Sequence, residues 1–90
     1  MYDGLSMNRR DFETFVAVYR KGSCKAAAPL LGLTSAAVSS RLRLLEAELG
    51  GPLFVRLRYG LRPNKRGRIL YPYAKRNLAL FRACERAVRR

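Results

Sequence analysis

Residues 34–49, Thr-Ser-Ala-Ala-Val-Ser-Ser-Arg-Leu-Arg-Leu-Leu-Glu-Ala-Glu-Leu, hold the chain's most suggestive chemistry, and it is recognition, not catalysis. Val38, Leu42, Leu45 and Leu49 recur at i, i+4, i+7 and i+11, so they line one side of a helix. Ser35, Ala36, Ser39, Ser40 and Arg43 fall on the other side. Small residues let a helix backbone approach a surface closely. Hydroxyls and guanidinium groups then bond base edges or phosphates. This is what a helix lying in a DNA major groove requires. The competing reading is an ordinary amphipathic surface helix. Catalysis is disfavoured: the chain has no histidine and only six Asp and Glu. No acid/base pair or activated nucleophile can be assembled from its spacing.

The rest of the chain must position that helix. Asn8 can cap a first helix, with Asp11 in its first turn. Phe12, Phe15, Val16 and Tyr19 give it a buried face, and Gly22 ends it. Ser23 can cap a second helix over Cys24–Leu31, with Ala26, Ala27 and Ala28 allowing close packing and Pro29 a source of bending. Gly32 ends that segment, and Thr34 caps the third helix two residues later. Two helices around a tight turn, the second with a small polar face, make a helix-turn-helix. After Gly50-Gly51-Pro52, the runs Leu53–Arg56 and Tyr59–Arg62 read as two short strands, with Gly60 supplying a positive φ. Such a basic hairpin is a wing. Asn64 can cap a long last helix to about Arg90, bent near Pro72.

That last helix is broadly apolar. Tyr71, Ala74, Leu78, Phe81 and Val88 share one stripe. Leu70, Ala74, Phe81, Cys84 and Val88 form an overlapping one. The excess of apolar surface predicts a subunit interface. Residues 1–7 carry no pattern and are expected to be a flexible leader. The expected division is therefore leader 1–7, winged domain 8–63 and dimerisation helix 64–90.

Composition supports a polyanion partner. Nineteen Lys and Arg against six Asp and Glu leave a net charge of +13, spread along the chain. Together with 49% hydrophobic residues this predicts a folded basic domain, not a disordered arm. Ninety residues suffice for one small, marginally stable domain that a second subunit would help. Cys24 and Cys84 have no metal-site spacing, so neither a metal nor a cofactor is expected. Cys24 reads as a core residue and Cys84 as packed or interfacial. No run is apolar enough to span a bilayer, and no membrane partner is expected. Glu46 and Glu48 read as charge partners of nearby arginines or as solvated. Tyr59 suits either stacking on a sugar or base, or a plain turn.

The chain resembles the N-terminal winged helix-turn-helix domain and linker helix of the LysR-type transcriptional regulators. The resemblance spans roughly residues 8–90. Its landmarks are Phe15-Val16-Ala17-Val18, Gly22-Ser23, Ala27-Ala28, Leu31, Ala37-Val38-Ser39, Leu45-Glu46, Glu48-Leu49-Gly50, Pro52-Leu53-Phe54, Arg56, Gly60, Arg62, Gly67 and Pro72-Tyr73-Ala74. The departures fall on the reading surface. Ser35-Ala36 replaces the family's common Gln-Pro, and Ser40-Arg41 its common Arg-Gln. Cys24 stands where Phe is usual, Asn64 where Thr is usual, and Leu57 and Pro63 depart from the wing pattern. The preferred DNA sequence therefore cannot be transferred.

The resemblance implies a mainly α fold: three helices and a two-stranded wing, followed by a long dimerisation helix. It implies major-groove contacts from Thr34, Ser35, Ala36, Ser39 and Ser40, with Arg41 and Arg43 directed mainly at phosphates. Arg56, Arg58 and Arg62 resemble the family's wing contacts to backbone and minor groove. Ser23 and Lys25 can hold a phosphate at the start of the second helix. A homodimer paired through Leu70, Tyr71, Ala74, Leu78, Phe81, Cys84 and Val88 would read an interrupted inverted repeat. The implied location is the bacterial cytoplasm, on the nucleoid. The family's effector domain has no counterpart in these residues, so no small-molecule site is expected. Two other functions stay open: a non-specific architectural or RNA-binding basic domain, and a short chain that pairs with full-length regulators and blocks them.

Overall fold

A computed structural model describes residues 7–89. In chain order the elements are α1 (Arg9–Lys21), α2 (Cys24–Leu31), α3 (Ser35–Glu48), β1 (Phe54–Leu57), β2 (Gly60–Pro63) and α4 (Lys65–Arg89). This is a winged helix-turn-helix with a long helix appended. The expected leader falls on residues 1–6, outside the described residues; Met7, assigned to it from sequence, packs against the core. Among the described residues no helix is long and apolar enough to cross a membrane.

Each of the first three helices starts where a polar side chain satisfies free amides. Asn8 and Asp11 form a reciprocal box, each side chain accepting from the other's amide at 3.2 and 3.0 Å. Ser23 Oγ accepts from Ala26 N at 3.0 Å, and Thr34 Oγ1 from Ala37 N at 3.1 Å. Asn64 Oδ1 does the same for Gly67 N in α4 at 2.9 Å. Pro29 and Pro72 lie inside α2 and α4 without ending them.

The core is one cluster contributed by every helix and by the start of the wing. Phe15 lies at its centre, fully buried, with the rings of Phe54, Tyr19 and Tyr71 at 5.6, 5.8 and 6.5 Å. Val38, Leu42 and Leu45 bury the expected stripe of α3 against it. Tyr71 lies flat on Tyr19 at 3.8 Å, its hydroxyl accepts from Arg20 Nε at 3.0 Å, and Lys75 Nζ sits 4.9 Å from its ring centre. Further along, Arg9 bonds Glu85 at 3.0 Å. Thus α4 is clasped to α1 at both ends of their contact.

That clasp corrects part of the interface assignment. Ala74 and Leu78 are 0% and 5% exposed, because they face α1 inside the subunit. They are core, not partner contacts. Tyr71 is likewise occupied by Tyr19. Leu70 is half-buried, while Phe81, Cys84 and Val88 are exposed. Helix α4 starts at Lys65, and its Gly67, Ala74 and Leu78 are buried, the last two within the core cluster.

The wing strands each begin one residue later than the sequence predicts. Leu53 is 1% exposed and its amide and carbonyl are bound outside the ladder, by Glu46 and by Asn64 N. Tyr59 belongs to the turn with Arg58. The pairs Phe54 with Pro63, Val55 with Arg62, Arg56 with Leu61 and Leu57 with Gly60 fix the register. Gly60 carries the reversal at φ 122°. It also packs on the carbonyl of Gly22, to which Leu61 N donates at 2.7 Å. A methyl at residue 60 would strike that carbonyl. Gly60→Ala is expected to destabilise the domain by about 1–3 kcal/mol in chemical denaturation. Gly50→Ala is the control: it also places an alanine at a positive φ, 87°, with open space around it. Equal losses at the two positions would show that the contact with Gly22 contributes nothing.

Candidate nucleic-acid interface

The buried stripe of α3 determines which side chains it presents outward. Ser35, Ala36, Ser40 and Arg43 are exposed, and Ser39 is half-buried. Thr34 is exposed too, with its hydroxyl oxygen engaged as the helix cap. These positions form a shallow face of small residues with one long cation.

Arg41 does not share that face. It is half-buried and borders a cleft of about 290 Å³ between α1 and α3, together with Arg10, Glu13, Thr14 and Leu33. The two arginines of α3 therefore lie on different flanks. Arg10, which sequence reading passed over, joins Arg41 on the α1 side. Its pairing with Arg41 depends on how α1 crosses α3, and no spacing along the chain records that.

On the opposite flank stands the wing. Directly opposed residues of an antiparallel pair share a face, and successive residues alternate. Phe54, Arg56 and Leu61 hence lie on the inner face, toward α2 and α3. Val55, Leu57 and Arg62 lie on the outer face. The inner face and α3 enclose a cleft of about 120 Å³ bordered by Cys24, Ser39, Arg43, Glu46 and Arg56. Arg58 sits in the turn, its guanidinium 5.5 Å from the ring centre of Tyr59. Tyr59 is 87% exposed at the wing tip. Because β1 ends at Leu57, strand alternation does not extend from Arg56 to Arg58.

Ser23 and Lys25 lie at the start of α2, Lys25 exposed and Ser23 engaged as the cap. The bond from Leu61 N to Gly22 O ties this helix start to the wing. Ser23 therefore lies beside Gly60 of the wing, while Ser39, Arg43 and Arg56 border one cleft on the wing side of α3. Cys24 is a half-buried packing residue there. Burial pushes its thiol above the ordinary value, opposed by Arg56 and Arg43 and reinforced by Glu46. It is protonated and a poor nucleophile at neutral pH.

Glu46 has a role that sequence reading missed. Its Oε2 accepts from the amide of Leu53 at 2.7 Å, seven residues ahead. Arg66 donates to the carbonyl of Pro52 at 3.0 Å and also to that of Leu49. Asn64 Nδ2 donates to Pro52 O at 2.9 Å. All of these contacts converge on the segment joining α3 to the wing.

The outer side of α4 carries a second feature. Ile69, Tyr73, Leu80 and Val88 are 55%, 56%, 69% and 77% exposed. Helical spacing sets Ile69, Tyr73, Leu80 and Cys84 along one side, with Leu70 and Val88 beside them. Sequence reading found Leu70, Cys84 and Val88 but not Ile69, Tyr73 or Leu80. The stripe it followed was centred on the face that packs against α1.

Comparison with known proteins assigns the fold. Residues 9–68 match the family model for the bacterial regulatory helix-turn-helix protein, lysR family. The chain is 52% identical over 54 residues to the HTH-type transcriptional regulator AbaB of Streptomyces antibioticus, covering 60% of this chain and 18% of that protein. It is 37% identical over 81 residues to the nitrogen assimilation regulatory protein nac of Escherichia coli K12, covering 90% of this chain and 26% of nac. The chain thus spans 18% and 26% of the length of these two relatives. Among solved structures it is similar to the CbnR DNA-binding domain in its DNA complex, with TM-score 0.84, 30% identity, and coverage of 93% of this chain and all of that one. It is also similar to the BenM DNA-binding domain in complex with benA site 1 DNA, with TM-score 0.86, 28% identity, and coverage of 92% and 93%. With most of its length matched by the family model and its winged helix-turn-helix shared with these structures, the chain belongs to the bacterial regulatory helix-turn-helix proteins of the LysR family.

Proposed function

We propose that this domain binds double-stranded DNA sequence-specifically and serves as the DNA-reading part of a LysR-type transcriptional regulator, acting in the bacterial cytoplasm. The observation that carries this reading is the outward face of α3. Ser35, Ala36, Ser40 and Arg43 are held exposed because Val38, Leu42 and Leu45 are buried opposite. The shallow profile of that face suits entry into a major groove, where Arg43 and the serine hydroxyls meet base edges or phosphates. The wing then lies over the neighbouring backbone, with Arg56, Arg58 and Arg62 as its cations and Ser23 and Lys25 beside it. Arg41, with Arg10, serves the phosphates on the other flank. Support comes from the similar CbnR and BenM DNA-binding domains, whose structures are DNA complexes.

Two subunits pair, on this reading, through the outer side of α4. Ile69, Leu70, Tyr73, Leu80, Cys84 and Val88 form an apolar band that a small monomer does not ordinarily leave in water. Two-fold pairing presents two α3 helices to successive major grooves, and the target is an interrupted inverted repeat.

The test is selection from a randomised duplex pool at moderate salt, followed by sequencing. Enrichment of an inverted repeat is expected. Ser35→Ala and Arg43→Ala are then expected to relax preference at individual base pairs, Arg43 by about 1–3 kcal/mol if it grips a guanine. Tight binding without enrichment, persisting when the α4 helices are covalently joined, would replace this reading with a non-specific basic domain.

A further inference from the structure

We infer that Glu46 and Arg66 are positioning residues that lock the wing to the recognition helix α3, so that the wing's DNA contacts depend on bonds made inside the protein. This inference rests on the DNA-binding reading above. The segment from Leu49 to Leu53 is the sole covalent link from α3 to β1, and it contains Gly50, Gly51 and Pro52. A link of that composition does not by itself hold a two-stranded ribbon in place. Here its polar groups are held from both sides. From α3, the Glu46 carboxylate takes the Leu53 amide at 2.7 Å, a charge-assisted bond in a half-buried site. From α4, Arg66 reaches the carbonyls of Leu49 and Pro52. Asn64 adds its side chain to Pro52 O and its amide to Leu53 O, at 2.9 and 3.0 Å.

The residue types fit this role. Glu46 borders the same cleft as Arg43 and Arg56, beside the face assigned to a polyanion. A negative charge there opposes DNA binding, so affinity does not account for it. The Leu53 amide does. Arg66 resembles, in sequence, one more cation near the wing. In the structure both its terminal nitrogens are turned onto carbonyls. The approach is possible because Gly51 has no side chain: a Cβ at residue 51 would lie 2.7 Å from Arg66 Nη1. Arg66 is thus a staple between α4, the end of α3 and the wing, and not a free phosphate ligand.

The test combines two readouts on the full chain. First, exchange of the Leu53 amide is followed by NMR without DNA. Glu46→Ala is expected to speed it about tenfold or more, and Glu46→Gln, whose amide oxygen can still accept the bond, to restore protection. Second, hydroxyl-radical and guanine-methylation footprints are taken on a selected duplex. Glu46→Ala and Arg66→Ala are each expected to lose protection under the wing while guanine protection under α3 persists. Glu46→Gln is expected to keep both and to bind at least as tightly as the parent. Arg66 is exposed, so Arg66→Ala keeps the test open if Glu46→Ala fails to fold. Unchanged protection under the wing in Arg66→Ala, or unchanged Leu53 exchange in a folded Glu46→Ala, overturns the inference. A parent chain that protects no DNA defeats the DNA-binding reading instead, and the exchange result still decides whether the lock exists.

Discussion

Affinity for a duplex carrying the preferred repeat is expected to fall by ~10³-fold or more between about 50 and 200 mM monovalent salt. Arg10, Lys25, Arg41, Arg43, Arg56, Arg58 and Arg62 are the cations that flank the outward face of α3 and edge the wing, and all are exposed except the half-buried Arg41. If each neutralises one phosphate, log K against log salt has a slope of about −6 per subunit, and a dimer engaging both halves is steeper. Fluorescence anisotropy across a salt series measures it. Removing Arg62 or Lys25 is expected to flatten the slope by about one and to weaken all sequences alike. Removing Ser35 leaves the slope as it is, because a hydroxyl releases no counterion. A parent slope shallower than about −2 would show that the basic surface does not lie on the phosphate backbone. The proposed interface would then be wrong, whatever the affinity.

Phe15→Ala is expected to cost the domain about 3–5 kcal/mol. A small domain has a stability of about 5–15 kcal/mol, so this one side chain accounts for a large part of it. The reason lies in what Phe15 joins. It is fully buried on α1 and touches Phe54 at the start of β1, Tyr19 on its own helix and Tyr71 on α4. Removing the ring leaves a cavity where α1, the wing and α4 meet. Thermal denaturation by circular dichroism should show the midpoint falling by roughly 12 °C or more. Phe15→Leu keeps most of the apolar volume and is expected to lose markedly less. A loss below about 1 kcal/mol for Phe15→Ala would mean that the junction is held by other contacts.

How much of this was legible along the chain depends on the range of each interaction. Helix starts were legible because a cap acts within three residues: Asn8, Ser23, Thr34 and Asn64 all hold amides at that distance. The buried stripe of α3 was legible because it follows helical periodicity alone. Strand limits came out one residue early, since Leu53 has the composition of a strand residue while its amide and carbonyl are committed to Glu46 and Asn64. On α4 the two overlapping stripes read from the sequence mix core and exposed positions and omit Ile69, Tyr73 and Leu80. Only packing against α1 separates Ala74 and Leu78, which it buries, from Ile69, Tyr73 and Leu80, which it leaves exposed.

The sequence by itself determined a basic domain with a helix-turn-helix, a wing and a long final helix, because charge balance, capping and 3.6-residue periodicity are local properties. Tertiary structure alone decided which cations act together. The strand register turns Arg56 inward and Arg62 outward. The crossing of α1 over α3 brings Arg10 to Arg41. Glu46 and Arg66 became a lock on the wing only when the chain brought the Leu53 amide and the Leu49 and Pro52 carbonyls within their reach. A carboxylate or guanidinium carries no mark of its partner along the chain; the partner is set by which backbone groups folding leaves needing one.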